Sequence, residues 1–217
     1  MTKQIQQALQ AIQTGDVAAI SALLEEFPTL SRQQTEQGIS LLMMSAYYRN
    51  PAIVQILRET KTELDLHEAA AVGEQKELNR HLASPGLEID AFAADGFSAL
   101  GLACFFGHIS SVQRLIEAGA DVNLAANNSF KVRPLHSAVA SKHVEIARLL
   151  LTHGANPNVQ QQNNVSPLHS AAHNGQLDMV QLLLTHGANS EMKTVDGKTP
   201  LDMAKEAGHE AVIRMLE

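Results

Sequence analysis

Ten histidines are the side chains of this chain best suited to chemistry. The sharpest pair is His169 and His173, one helical turn apart, which is the spacing of a two-histidine zinc motif. That motif also needs a glutamate and a third ligand, and neither is evident, so no metal is expected. Gly197, Lys198 and Thr199 imitate the end of a phosphate-cradling loop. The upstream glycine of such a loop would fall at Met192 and no strand precedes it, so the three read as a loop tip with Thr199 capping the next helix. Cys104 is the only cysteine and has no nucleophile partners to name; it occupies a small-residue position where neighbouring helices approach, and reads as buried packing. Asn127 to Ser129 and Asn164 to Ser166 fit glycosylation spacing and read as polar loop tips. No catalytic residue and no cofactor follow from these groups.

The elements that carry these residues are legible in the stretch from Ser166 to Asn189. Ser166 can cap a helix opening on Pro167, where a missing N–H costs nothing. Gly175 supplies a left-handed residue that ends it, and Leu177, Val180, Leu183 and Leu184 then repeat at helical spacing up to Gly187. Such a helix pair has an apolar side too large to hide alone and needs neighbours of the same shape. Anchors equivalent to Leu168 recur at Ala8, Leu42, Leu66, Leu100, Leu135 and Leu201. Their spacing is about 34 residues except between Leu42 and Leu66. Seven positions after the anchor stand Gly15, Gly73, Gly107, Gly175 and Gly208, with Arg49 and Lys142 in the two exceptions. Eight histidines then have a place in the repeat. His67, His136 and His169 follow the anchor, His108, His143 and His209 follow the turn, and His153 and His186 precede a helix-ending glycine.

The segments SPLHSAAHNGQLDMVQLLLTHGAN, RPLHSAVASKHVEIARLLLTHGANPN, SALGLACFFGHISSVQRLIEAGADVN and DGKTPLDMAKEAGHEAVIRMLE resemble the ankyrin repeat in period and signature. The resemblance runs from about Leu64 to the end. It implies an all-α solenoid of about seven stacked helix-turn-helix units with projecting hairpin-like loops. Those loops are expected at 90–97, 123–132, 156–165 and 189–198. The whole of 1–217 reads as one domain, with degenerate N-terminal capping units at 1–61, regular repeats at 62–198 and a C-terminal capping repeat at 199–217. The short spacing before Leu66 leaves no room for a loop, so one is expected to be missing there, with Thr62 and Asp65 as a capping box.

If anchor positions 0, 3 and 4 are buried, then at 100° per residue positions 2, 5 and 6 face away. In two units these carry Met44, Tyr47, Tyr48, Leu102, Phe105 and Phe106; later units hold Ser137, Ala140, Ser141, Ser170, His173, Asn174 and Glu206. The resemblance makes this face, with the loops, the usual contact surface. The expectation is therefore a non-catalytic module or scaffold that binds a partner protein. Tyr47, Tyr48, Phe105 and Phe106 would be its anchors, with Phe97, Phe130, Lys131, Asn163, His173 and Lys198 as further contacts. A dedicated inhibitor or an immunity or antitoxin-type protein is the alternative. A formal charge of -7 without a basic cluster disfavours nucleic acid. No apolar run suits a membrane span or a signal peptide, and the expectation is a cytoplasmic monomer.

Overall fold

The computed structural model describes residues 2–217, which form seven antiparallel helix pairs. In chain order they are α1 (Lys3–Thr14) with α2 (Val17–Glu26), α3 (Leu41–Tyr47) with α4 (Pro51–Thr60), and α5 (Leu66–Val72) with α6 (Gln75–Leu82). Next come α7 (Ala99–Phe106) with α8 (Ile109–Glu117), α9 (Pro134–Ala140) with α10 (Val144–Thr152), α11 (Pro167–His173) with α12 (Leu177–Thr185), and α13 (Pro200–Ala207) with α14 (Glu210–Leu216). The odd-numbered helices are the inner layer of an all-α solenoid and the even-numbered helices the outer one. Among the described residues the only strand pairing is two isolated antiparallel bridges, Gln34 with Ser40 and Phe92 with Ser98, each closing a finger-like loop.

Local chemistry starts and stops these helices. Ser40, Ser98, Ser166 and Thr199 each accept a backbone N–H of the first turn, and Pro51, Pro134, Pro167 and Pro200 occupy first positions. The turns between paired helices need φ > 0. Glycine supplies it in most units, and Arg49 at φ 53 and Lys142 at φ 63 adopt it where glycine is missing. Burial then links the units. One apolar cluster runs from Ile5 to Val212, with Leu42, Leu100, Leu135 and Leu168 at its centre, so each unit is stabilised mainly by its neighbours.

Polar ladders tie the units together at both ends of the helices. At the turn end, Nε2 of His108 meets the Ala71 carbonyl at 2.9 Å and Nε2 of His209 meets that of His173 at 2.9 Å, while His143 bonds that of Phe105. Gln176 donates to the Val139 carbonyl in the same way. At the loop end, Asn156 N–H donates to Asn123 Oδ1 at 2.8 Å and Asn189 N–H to Asn158 Oδ1 at 2.7 Å.

The structure departs from the sequence expectations at the N-terminal end. A finger at residues 34–40 precedes α3, closed by Thr35 N–H to the Ile39 carbonyl at 2.8 Å. Between α4 and α5 there is none. The capping box there is Asp65 with Glu68, not Thr62 with Asp65: Glu68 N–H donates to Asp65 Oδ1 at 2.8 Å and Asp65 N–H to Glu68 Oε2 at 3.1 Å. Thr62 instead accepts from Arg32 at 3.0 Å. A box needs its acid three residues into the helix, and that residue is Glu68.

Candidate partner-binding surface

Positions 5 and 6 of each unit stand at the C-terminal end of the inner helix, just before the turn to the outer one. In α3 and α7 those positions bring Tyr47, Phe105 and Phe106 together. Ring centroids lie 5.4 Å apart for Tyr47 and Phe106, 6.2 Å for Tyr47 and Phe105, and 5.1 Å for the edge-on pair Phe105 and Phe106. Tilted and edge-to-face arrangements at such distances are attractive beyond simple burial. The three rings come from units separated by α5, whose positions 5 and 6 are the small Ala71 and Val72.

These aromatics differ in how far they serve the fold. Tyr47, Phe97 and Phe106 are half-buried and pack on a small cluster of Met43, Ala71 and Leu102 under the fingers. The phenol of Tyr47 donates to Asp95 Oδ2 at 2.6 Å. Burial, then the adjacent Asp95 carboxylate, pushes its ionisation well above the usual tyrosine value. Asp95 also accepts the Phe97 N–H at 3.1 Å, so one carboxylate joins an inner helix to a finger. Phe105 is half-buried and lies outside both apolar clusters. Tyr48 is 46% exposed, its hydroxyl accepting from Gln13 at 3.1 Å.

Three positions expected to face away do not, Met44 being half-buried against the main apolar cluster. Leu102 is 1% exposed and Ser137 is also buried. Position 2 lies at the base of the finger, so the loop covers it even though it is off the helix-facing stripe. Further along, Ala140, His173, Asn174 and Glu206 are exposed as expected.

The loop residues are spread along the row of fingers. Phe130 is 59% exposed, and Lys131 and Asn163 beside it are also exposed, both with φ > 0. Adjacent fingers bond through their backbones: Asn127 N–H to the Gly96 carbonyl at 2.7 Å, Gln162 N–H to that of Phe130 at 2.9 Å, and Val195 N–H to that of Asn163 at 3.0 Å. Lys198 is less free than a tip residue, since its Nζ pairs with Glu206 at 2.7 Å. Over α5, which lacks a finger, the two flanking fingers meet: a Cβ at Gly38 would lie 3.2 Å from that of Ala94. Beneath them is a cavity of about 350 Å³ lined by Met43, His67, Phe92 and Asp95.

All the histidines but His173 bond the backbone through their rings. His169 accepts from Ser166 N–H through Nδ1 at 3.2 Å and meets the Lys198 carbonyl through Nε2 at 3.0 Å, so both ring nitrogens are taken. His136 has the same arrangement with Arg133 N–H and the Val165 carbonyl. Burial lowers its pKa from 6.5 to about 4. His81, outside the repeat pattern, bonds the Leu64 carbonyl at 2.7 Å. Cys104 is buried and burial pushes its thiol well above the usual range, which leaves it inert. No helix of the described residues is long and apolar enough to cross a membrane.

Comparison with known proteins follows the repeat. A family model described as ankyrin repeats (3 copies) matches residues 66–161, and another described as ankyrin repeats (many copies) matches 150–204. The chain is 33% identical over 117 residues to human "SMC5-SMC6 complex localization factor protein 1", which covers 52% of this chain and 11% of that protein. It is 44% identical over 57 residues to mouse "2-5A-dependent ribonuclease", covering 26% of this chain and 8% of the relative. It is 29% identical over 150 residues to "Neurogenic locus notch homolog protein 1" of Xenopus tropicalis, covering 65% and 6%. The chain thus spans about a tenth or less of the length of these relatives. Ankyrin repeats are general modules for binding other proteins, and in general they are not catalytic. Two overlapping models, the phase of the helix pairs and the turn-end ladder agree: the chain belongs to the ankyrin-repeat family.

Proposed function

We propose that this chain is a protein-binding module that takes one partner protein on its inner face, through Tyr47, Tyr48, Phe105 and Phe106, and along the finger tips, through Phe130, Lys131 and Asn163. The observation that carries this reading is the asymmetry of the inner face. Aromatic rings stand in α3 and α7, with Phe105 outside both apolar clusters and Tyr48 exposed, where later units carry small or polar side chains. Exposed rings on rigid helices are efficient anchors, because little conformational freedom is lost when they are covered. Tyr47 and Phe97 support those anchors by fixing the finger to the helix. His173 and Lys198 lie at the polar end and serve as rim contacts. The work is recognition rather than catalysis, in a reducing cytoplasm that suits the free thiol of Cys104.

The test uses Tyr48→Ser and Phe105→Ser together, the two ring substitutions that remove least from the fold. Tagged full-length chain and the double variant are compared by affinity capture with quantitative mass spectrometry, alongside thermal melts. The expected result is selective loss of one captured protein with a nearly unchanged melt. An identical capture profile for both chains overturns the reading.

A further inference from the structure

The turn-end ladder stops before the two N-terminal joints, where Asn50 of unit two caps its own helix by accepting from Ile53 N–H. Units four, five and seven follow the turn with His108, His143 and His209, and unit six with Gln176; each bonds a carbonyl of the preceding inner helix. Unit three has Glu74 there, which has no proton to donate and instead accepts from Arg58 at 2.7 Å. The Arg58–Glu74 pair joins α4 to the start of α6, but the two helices barely touch, whereas every other adjacent pair of outer helices packs together. Ala71 and Val72 are also too small to fill the space between Arg49 and the rings of Phe105 and Phe106. The result is an open groove of about 750 Å³ whose walls come from units two to five.

Two arginines and two glutamates line this groove. Arg58 neutralises Glu74, while Glu59 keeps its charge and accepts from the neutral amide of Gln55 at 2.7 Å. Arg49 lines it without a carboxylate partner among the described residues, and Lys142 stands exposed and likewise unpaired beside groove-lining Ser141 and His143. Both cations hold left-handed backbone where other units have glycine. Arg49 and His143 line the same groove; burial, and after it the charge of Arg49, lowers the pKa of that ring. A groove with an apolar floor, an aromatic wall and an unpaired cation at its mouth is complementary to an apolar group that carries a carboxylate nearby. Its open shape and its four-unit length suit an extended chain better than a compact molecule.

We propose that this groove is the docking site for an extended segment of a partner protein that places an aromatic side chain between Val72 and Phe105 and a neighbouring carboxylate on Arg49. The assignment rests on the protein-binding reading and narrows it to one segment chemistry. A random peptide library displayed on phage is panned against the immobilised full-length chain. Enriched peptides are then synthesised with a fluorophore and titrated by fluorescence polarisation into the wild type and into Arg49→Gly, Val72→Trp and Tyr48→Ser. Arg49→Gly keeps the φ that the turn requires, so its melt should not fall, and Val72→Trp fills the groove. Enrichment of sequences pairing an aromatic residue with Asp or Glu, bound at least tenfold more weakly by R49G and by V72W, is the expected result. Peptides without an acid, or peptides that bind R49G and V72W as well as wild type, overturn the groove. If those same peptides lose affinity for Tyr48→Ser, the protein-binding reading stands while the groove falls. No enrichment over a blank surface also overturns the groove, and partner capture by the Tyr48 and Phe105 double variant then judges the broader reading separately.

Discussion

Replacing Lys61 by Met should detach the first two units from the rest of the stack. Lys61 sits in the linker that stands where a finger is missing, and its ammonium meets the carboxylate of Glu68. The Lys61 side chain is 13% exposed and that of Glu68 1%, so the pair is held away from water. The Lys61→Met variant leaves Glu68 with a single other donor, the Asp65 N–H at 3.1 Å. An uncompensated buried charge of this kind costs about 3–5 kcal/mol. The joint it sits in has little reserve, because α4 and α6 hardly meet and the turn end is bridged by the partly exposed Arg58–Glu74 pair rather than by a histidine. With a urea dependence of about 2 kcal/mol per molar, the loss moves the midpoint of the affected transition by roughly 2 M. In a stack held by neighbour contacts it should also split one transition into two, α1–α4 melting first. Circular dichroism at 222 nm against urea is the assay. The companion variant Lys61→Met with Glu68→Gln removes the charge but keeps an oxygen for the Asp65 N–H, and should recover most of the loss. The reasoning is refuted if Lys61→Met shifts the midpoint by less than about 0.3 M, or if adding Glu68→Gln recovers nothing.

Three further outcomes follow from particular contacts. The lowered pKa of His136, about 4 against 6.5, means the unfolded chain takes up its proton first. Its contribution is full above pH 6.5 and lost as pH falls toward 4, on the order of 3 kcal/mol in all. His136→Asn should flatten urea midpoints measured across that window. Tyr47 has a raised pKa, so its contribution is present below pH 10 and is lost as pH rises through the folded value. Absorbance at 295 nm should show its phenol resisting ionisation until the chain unfolds, and Asp95→Asn should ease that resistance. Gly107→Ala should cost more than Gly154→Ala in thermal melts. Both glycines have φ near 90°, but a Cβ at Gly107 would lie 2.6 Å from the His143 ring, whereas at Gly154 it meets nothing; the difference, on the order of 1 kcal/mol, reports the turn-end ladder.

Much of the fold could be read from single residues because it is built locally. Caps such as Ser166 and Thr199, first-turn prolines and turn residues with φ > 0 act within four residues of where they stand. Arg49 and Lys142 keep the turn without glycine, so the spacing was a better guide than the residue type. What could not be read depends on how units meet. The finger at 34–40 carries only Gly38 as a signal, inside an otherwise plain polar run. Leu102 and Ser137 are buried by a finger base that helical periodicity does not include. The grouping of Tyr47 with Phe105 and Phe106 requires the small side chains of α5 between them, a relation across three units. The pair of Lys61 with Glu68 and the groove behind Arg49 are likewise products of stacking.

The shortened third unit connects these features. Losing a finger lets Gly38 and Ala94 meet on one side of α5, while on the turn side Glu74 pairs with Arg58 of α4 instead of bonding a carbonyl of α3. One irregularity thus closes the stack at the fingers and opens it at the turns. Small residues in α5 leave the opening that Phe105, Phe106 and Arg49 line. A regular unit here, with a turn histidine and a finger, would seal the groove and separate the aromatic rings. Glu74→His exchanges the partly exposed Arg58–Glu74 pair for a carbonyl bond of similar size, so it should narrow the groove and leave the melt nearly unchanged. If the groove is where a partner docks, that variant keeps its melt and binds more weakly, a separation that neither a purely structural joint nor a binding surface elsewhere would produce.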